Sequence, residues 1–272
     1  MKKILIPIDF SESSQHIIQV AKAIALKTGA ELAIMHTYQT NIAIPVTEST
    51  EQVCDDMENS YKQLLNEYVI GAQIEGYQAE GIWESNGIHT SVLSQASKIK
   101  ADLIVIGRTG QGNFMDKLIG SSATGIALDA YCPVLVVPSQ VETIKFTRAV
   151  YATQLEYEEI NILHQVKRLT EQLGTRLTFI KISSLEQPNI QPDEQYVQQM
   201  INELDISASD IVIQKESGVI EGIKKYCQQV EADLLIVSTR ERGFWEQYIV
   251  NPSITKKLVV ETDVPLLVFH LK

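Results

Sequence analysis

Residues 101–138 read ADLIVIGRTGQGNFMDKLIGSSATGIALDAYCPVLVVP, and this stretch decides the fold. It opens on a continuous apolar run, Leu103 to Ile106, that is too short for a buried helix and rich in β-branched residues. That is the pattern of a central parallel strand covered on both faces. The run stops at Gly107, and the glycines then fall as Gly107, two residues, Gly110, nine residues, Gly120, followed by Ser121, Ser122 and helix-forming sequence. Gly107 and Gly110 have no Cβ to hold a ligand away from the backbone and permit the turns that aim amides inward. Gly120 and Ser121 would open a helix whose free amides and roughly +0.5 charge of dipole favour an anion, with the serine hydroxyls as further donors. Any one of these glycines alone reads as a turn former. The ordered set between two strands reads as a phosphate cradle.

Other phosphate loops are excluded by spacing. GxxxxGK[ST] is absent, and Gly110, Gly112 and Met115 fail GxGxxG at its last position. The spacing that is present, together with the closing strand from Cys132-Pro133 through Val137, resembles the universal stress protein family, whose ATP-binding members carry G, two residues, G, nine residues, G, then S or T. The resemblance implies ATP or ADP as ligand, held by Gly107, Arg108, Thr109, Gly110, Gly120, Ser121 and Ser122. Arg108 and Lys117 are available to neutralise phosphate charge; the plainer reading of Lys117 is a solvated helix-start charge.

The 272-residue chain has 23 basic and 34 acidic residues, a net charge of −11, which argues against nucleic acid or an anionic membrane as partner. No apolar run approaches the ~20 residues of a spanning helix, and Met1-Lys2-Lys3 leads directly into a strand, so a cytoplasmic protein is expected. Cys54, Cys132 and Cys227 have neither even number nor metal spacing and read as small buried thiols in a reducing compartment.

Strand and helix alternate from the first residues. Ile4 to Ile8 is a buried strand; Ile17, Ala21, Ile24, Ala25 and Thr28 mark a helix that Ser11 or Ser13 can cap and Gly29 stops. A strand at Leu32 to Met35, a long helix through Met57, Tyr61, Leu64, Leu65 and Tyr68, a strand at Ala79 to Glu84 and a helix over Val92, Ala96 and Ile99 follow. This βαβα order predicts a flavodoxin-like or Rossmann-like doubly wound sheet: five parallel strands in the order 3-2-1-4-5 with helices on both faces. Strands one and four are then neighbours, and their carboxyl ends at Asp9 and Gly107 flank the crevice where open sheets of this kind bind ligands. Asp9 is a candidate to bond a ribose hydroxyl or hold a magnesium ion, and is also a residue type that starts helices, here for Ser11 to Ser14. The family resemblance, through Pro7, Asp9, Phe10 and Ser11, implies a nucleotide contact, and it brings the backbone of Thr37 to the adenine.

The whole pattern then repeats. Ala232-Asp233-Leu234-Leu235-Ile236-Val237 echoes Ala101 to Ile106, and Val264-Pro265-Leu266-Leu267-Val268 echoes Cys132 to Val136. Ahead of these come strands at Ala149 to Thr153, Leu177 to Ile182 and Asp210 to Ile213, and helices ending at Gly174, spanning Val197 to Leu204 and starting near Gly218. Two tandem units are expected, 1–142 and 143–272, joined near Val141 to Phe146. The second lacks the cradle: Ser238, Glu241, Asn251, Pro252 and Gln154 stand where the first has Gly107, Gly110, Gly120, Ser121 and Asp9. Arg240 and Arg242 beside Glu241 read as solvated loop charges in place of a substitute anion site. Each unit ends in an apolar edge strand, Val134 to Val137 and Leu266 to Phe269. Exposed apolar edges invite pairing, so these two are expected to meet, antiparallel, as an internal dimer, with a further homodimer left open.

Catalysis has little support. GxSxG and HExxH are absent, and the five histidines, His16 and His36 among them, have no activating context. The reading is a non-catalytic nucleotide-binding stress-response module with an unidentified protein partner. Two alternatives stand beside it: a slow ATP hydrolase or ATP-pyrophosphatase-like enzyme, which normally needs a glycine-rich loop after the first strand, and an interaction module with a lipid-like ligand.

Overall fold

The computed structural model describes residues 1–38, 48–108, 121–141, 145–184, 194–240 and 254–271. In the first half β1 (Lys3–Ile8), α1 (Glu12–Thr28), β2 (Glu31–Thr37), α2 (Glu48–Ile74), β3 (Ala79–Glu84), α3 (Ile88–Ile99), β4 (Leu103–Gly107), α4 (Ser121–Asp129) and β5 (Val134–Val137) follow in turn. The second half runs β6 (Arg148–Ala152), α5 (Ile160–Leu173), β7 (Arg176–Ser183), α6 (Glu194–Leu204), β8 (Ile211–Lys215), α7 (Val219–Gln229), β9 (Leu234–Arg240), α8 (Ile254–Glu261) and β10 (Leu266–Leu271).

All ten strands form one sheet in the order β3-β2-β1-β4-β5-β10-β9-β6-β7-β8. Each half has the expected order, 3-2-1-4-5, and is parallel throughout. Among the described residues the single antiparallel pairing is the seam, where β5 meets β10 with Val136 opposite Leu266 and Val134 opposite Val268. Two apolar edges that would template association thus close each other. Because the seam is antiparallel, the carboxyl end of β5 lies beside the amino end of β10, which brings the corner between α8 and β10 next to the end of β4.

The strands are apolar on both faces because helices cover both. Ile4, Ile6 and Ile8 of β1 face the core layer that α1, α2, α5 and α6 cover along the sheet, whereas Leu5 faces the layer under α3, α4, α7 and α8. Residues of both halves share each core layer, and Leu135 and Leu267 on one face, Val136 and Leu266 on the other, carry the layers across the seam. Lys27 of α1 donates to the carbonyl of Leu173 at the end of α5, and His270 Nε2 lies 3.0 Å from the Ala127 carbonyl of α4.

The repeat has a backbone signature. Gly29 (φ 71°) and Gly174 (φ 66°) close the first helix of each half in the left-handed region, and Phe10 (φ 61°) and Leu155 (φ 57°) adopt it at the same place after β1 and β6. The repeated Ala-Asp pair also has a purpose. Asp102 accepts from the amides of Lys2 and Lys3, and Asp233 from those of Thr147 and Arg148, tying the first strand of each half to its fourth.

Two local expectations are corrected. Ser11 holds the N-cap position of α1, but its hydroxyl makes no cap bond to the helix; it donates to Asp9 instead, 2.5 Å away. Asp210 belongs to a short 3-10 turn, Ala208–Asp210, and not to β8, because its carboxylate accepts from the Ser207 amide.

Candidate functional site

β1 lies between β2 and β4, with Ile4 opposite Leu103 and Leu5 opposite Ile104. The chain leaves β1 at Asp9 and β4 at Gly107, and the flanking strands connect in opposite directions, so this is the switch point of the first half. Pro7 is buried inside β1 opposite Met35. Asp9 is half-buried, and its Oδ1 accepts from the Ser11 amide at 3.1 Å, the Ser11 hydroxyl at 2.5 Å and the Ser14 hydroxyl at 2.9 Å. The helix-starting role and the site-facing position therefore coincide: the three donors fix the carboxylate at the mouth of the crevice.

Thr37 ends β2 opposite Glu84, half-buried, and the next amide, Tyr38, donates to the Glu84 carbonyl. α4 begins at Ser121 with Ser122 exposed in its first turn, so the free amides of a helix N-terminus belong to this edge of the sheet. Thr109, Gly110, Lys117 and Gly120, with the Ser121 side chain, lie outside the described residues. Arg108 does not stand free for a phosphate: its guanidinium donates to the Thr262 carbonyl and, at 3.2 Å, to Gln140 Oε1. Burial lowers its pKa, with Asp263 opposing that shift.

An aromatic cluster beside Asp9 was not legible as a unit. The Phe10 ring lies tilted 4.2 Å from His36 and stacked 5.7 Å from Tyr61, His36 meets Trp83 at 5.4 Å, and Tyr38 bridges Tyr61 and Trp83. These residues sit at the carboxyl ends of three strands and on α2, far apart in sequence. His36 Nδ1 is 2.9 Å from the Ile8 carbonyl, so it is the protonated nitrogen, and burial lowers the ring's pKa against the pull of that carbonyl and of Asp9. A neutral imidazole here joins β2 to the last residue of β1.

The second switch point is filled from within. Glu159, just before α5 and only 2% exposed, puts its carboxylate between the ends of β6 and β9. Oε2 accepts from the Thr153 hydroxyl at 2.6 Å and the Gln154 amide at 3.1 Å; Oε1 accepts from the Tyr151 hydroxyl at 3.2 Å and the Ser238 hydroxyl at 3.1 Å. Ser238 and Gln154 are the residues expected to replace Gly107 and Asp9. Lys181, matching His36 in register, donates to the Gln154 carbonyl at 2.6 Å. Burial raises the Glu159 pKa, opposed by its hydrogen bonds to Thr153, Glu156, Ser238 and Tyr151. Burial likewise lowers that of Lys181, against Glu156 and Glu159. Glu241, Asn251, Pro252 and Arg242 lie outside the described residues, as does the Arg240 side chain.

Cys132 and Cys227 are buried and Cys54 is half-buried; burial pushes the Cys227 thiol up to about 12, where it is no nucleophile at neutral pH. Among the described residues no group of three or more His, Cys, Asp or Glu could hold a metal ion. No helix among them is long and apolar enough to cross a membrane.

Over residues 1–138 the chain matches the model of the universal stress protein family. Universal stress protein A homolog 1 of Coxiella burnetii is 31% identical over 143 residues, which is 50% of this chain and 95% of the relative. A universal stress protein of Methanocaldococcus jannaschii is 30% identical over 138 residues, 50% of this chain and 81% of its own length. Both relatives thus match a single half. A solved universal stress protein from Archaeoglobus fulgidus superposes on both halves, covering 99% of this chain and 96% of its own with a TM-score of 0.74; at 19% identity that likeness concerns the fold.

Proposed function

Because this chain belongs to the universal stress protein family and is of the tandem type, we propose that it binds one ATP or ADP in residues 1–142 and uses residues 143–272 as a scaffold without a ligand of this kind. The observation that carries the reading is the contrast between the two switch points. At the first, Asp9 and Gly107 end adjacent strands and the glycine stretch leads to the start of α4. At the second, the corresponding position is taken by the Glu159 carboxylate and its five donors, the Glu156 amide included, where a phosphate would meet negative charge and side chains in place of glycine.

In this reading Gly107, Gly110 and Gly120 let backbone amides approach the phosphates, Thr109, Ser121 and Ser122 add hydroxyls, Asp9 takes a ribose hydroxyl or the nucleotide's magnesium, and the backbone at Thr37 meets the base. Pro7 orients the turn into Asp9. The bound nucleotide supplies no bond-breaking step; it stabilises one conformation for a protein partner to read. Phosphoryl transfer needs placed cations around the leaving charge, and Arg108, the described cation closest in sequence to the cradle, is bonded to the other half.

The test is mass spectrometry of ligand released from freshly purified, denatured protein, followed by calorimetric titration of stripped protein with ATP and ADP. One site per chain is expected. Gly110→Val should abolish it by filling the approach to the phosphates, while Ser238→Val should leave affinity within about threefold, under ~1 kcal/mol. Two equivalent sites, or equal losses from both variants, refute the assignment.

A further inference from the structure

We infer that Arg108 is a positioning residue through which the second half of the chain sets the nucleotide affinity of the first. The inference rests on the reading of the first crevice as a nucleotide site. It starts from where the side chain goes. Arg108 directly follows Gly107, so its backbone is the first step of the glycine stretch, and its amide donates to the Val137 carbonyl at the end of β5. Its guanidinium then crosses the seam.

The acceptor it finds there is of a particular kind. Thr262 is buried, and its amide closes α8 by donating to the Leu258 carbonyl; its own carbonyl is among those a helix end leaves unpaired, at the negative pole of the dipole. Arg108 Nη1 donates to that carbonyl. Nη2 donates to Gln140 Oε1 at 3.2 Å, and Gln140 Nε2 donates at 3.2 Å to Asp263 Oδ1. One cation thus joins the end of β4, the turn after β5 and the corner before β10. The antiparallel seam makes this possible, since it lays the α8–β10 corner against the ends of β4 and β5.

A guanidinium held by two acceptors has lost its freedom, and with it the backbone at 107–108 loses the freedom to swing. The cradle's first turn is then preset before a ligand arrives, which lowers the ordering cost of binding. The link is reciprocal: what the second half does for nucleotide affinity, nucleotide does for the seam. The pseudo-equivalent residue in the second half is Thr239, which cannot make such a reach, so the tether runs one way, from the half with the cradle to the half without it.

The experiment is calorimetric titration of the full chain with ATP and with ADP, for wild type, Arg108→Ala, Arg108→Lys, Gln140→Ala and the double variant Arg108→Ala/Gln140→Ala. A tether predicts that Arg108→Ala weakens ATP and ADP by the same factor, about tenfold. Gln140→Ala should fall part of the way, and the double variant no further than Arg108→Ala. Arg108→Lys, which keeps the charge but reaches one acceptor, should sit between. Should Arg108→Ala fail to fold, as judged by circular dichroism, the lysine and Gln140 variants carry the test. Wild-type affinity in Arg108→Ala overturns the inference. So does a loss that grows from ADP to ATP with Gln140→Ala silent, because Arg108 is then a direct phosphate ligand. If wild type takes up neither nucleotide, the reading of the crevice has failed, and the inference fails with it.

Discussion

Replacing Glu159 separates a structural plug from an incidental buried charge. In Glu159→Ala the amides of Gln154 and, more weakly held, Glu156 and the hydroxyls of Tyr151, Thr153 and Ser238 lose their shared acceptor. The hydroxyls can rotate toward one another, so about two donors stay orphaned, at about 1–3 kcal/mol each. Removing a desolvated carboxylate returns part of that cost, and a net loss of about 3 kcal/mol is expected. In Glu159→Gln the amide oxygen can still accept from Gln154 and Thr153 while its NH2 donates to the oxygens of Tyr151 and Ser238, so the loss should stay under about 1.5 kcal/mol. With about 2–4 °C per kcal/mol for chains approaching this size, scanning calorimetry should show alanine melting about 6–12 °C lower and glutamine within a few degrees of wild type. The pH dependence adds a second reading. Burial raises the folded-state pKa of Glu159 above its unfolded value, so between those two pKa values the folded protein holds a proton that the unfolded chain has released, and above both the group is a carboxylate in either state. The stability of wild type relative to Glu159→Gln is therefore greatest below the unfolded pKa and is lost as pH rises through the folded one. Equal melting of the alanine and glutamine variants, or a wild-type advantage that grows with pH, would refute the reasoning.

Val136, 1% exposed and opposite Leu266 at the seam, should tolerate no charge: Val136→Lys is expected to cost at least about 3 kcal/mol and to yield aggregated or separated halves on light-scattering chromatography. A soluble Lys variant with wild-type melting would mean the seam is dispensable. Nucleotide turnover should fall far below ~1 s⁻¹ in a phosphate-release assay, and a rate at or above that value, lost in Gly120→Asp, would make the protein an enzyme.

The strand order was readable because right-handed crossovers leave few ways to wind a βαβα chain, and the seam because Val134 to Val137 and Leu266 to Phe269 are too apolar to remain open edges. Glu159 was not readable. Tyr157-Glu158-Glu159 ahead of an amphipathic helix has the look of solvated helix-start charges, and only the packing of β6 and β9 turns one of them inward. Arg108 was readable as a cation near phosphates but not as a tether, since its partner is 154 residues away and reached only through the seam register. Phe10, His36, Tyr61 and Trp83 likewise belong to four different elements or turns, and no local pattern joins them.

The two halves show which features a sheet of this kind needs and which only a ligand needs. Left-handed residues after β1 and β6, glycines closing α1 and α5, and aspartates tying the first strand to the fourth recur in both, although the side chains around them differ. Those features shape the backbone at the carboxyl edge. What differs is the chemistry set into that shape: Asp9 beside a glycine stretch in one half, Gln154 beside Ser238 and Glu159 in the other. A switch point left empty would expose strand-end amides and hydroxyls to an unfilled crevice, and buried donors without acceptors are costly. Glu159 supplies the acceptor permanently, where the first half would receive it from a bound anion. A half that carries its own anion holds its corner in one conformation whatever the nucleotide level. That constancy belongs to the carboxyl edge of the second half, whereas Arg108 is held at the other edge, before the amino end of β10, so the plug and the tether are separate devices that each leave nucleotide chemistry to the first half.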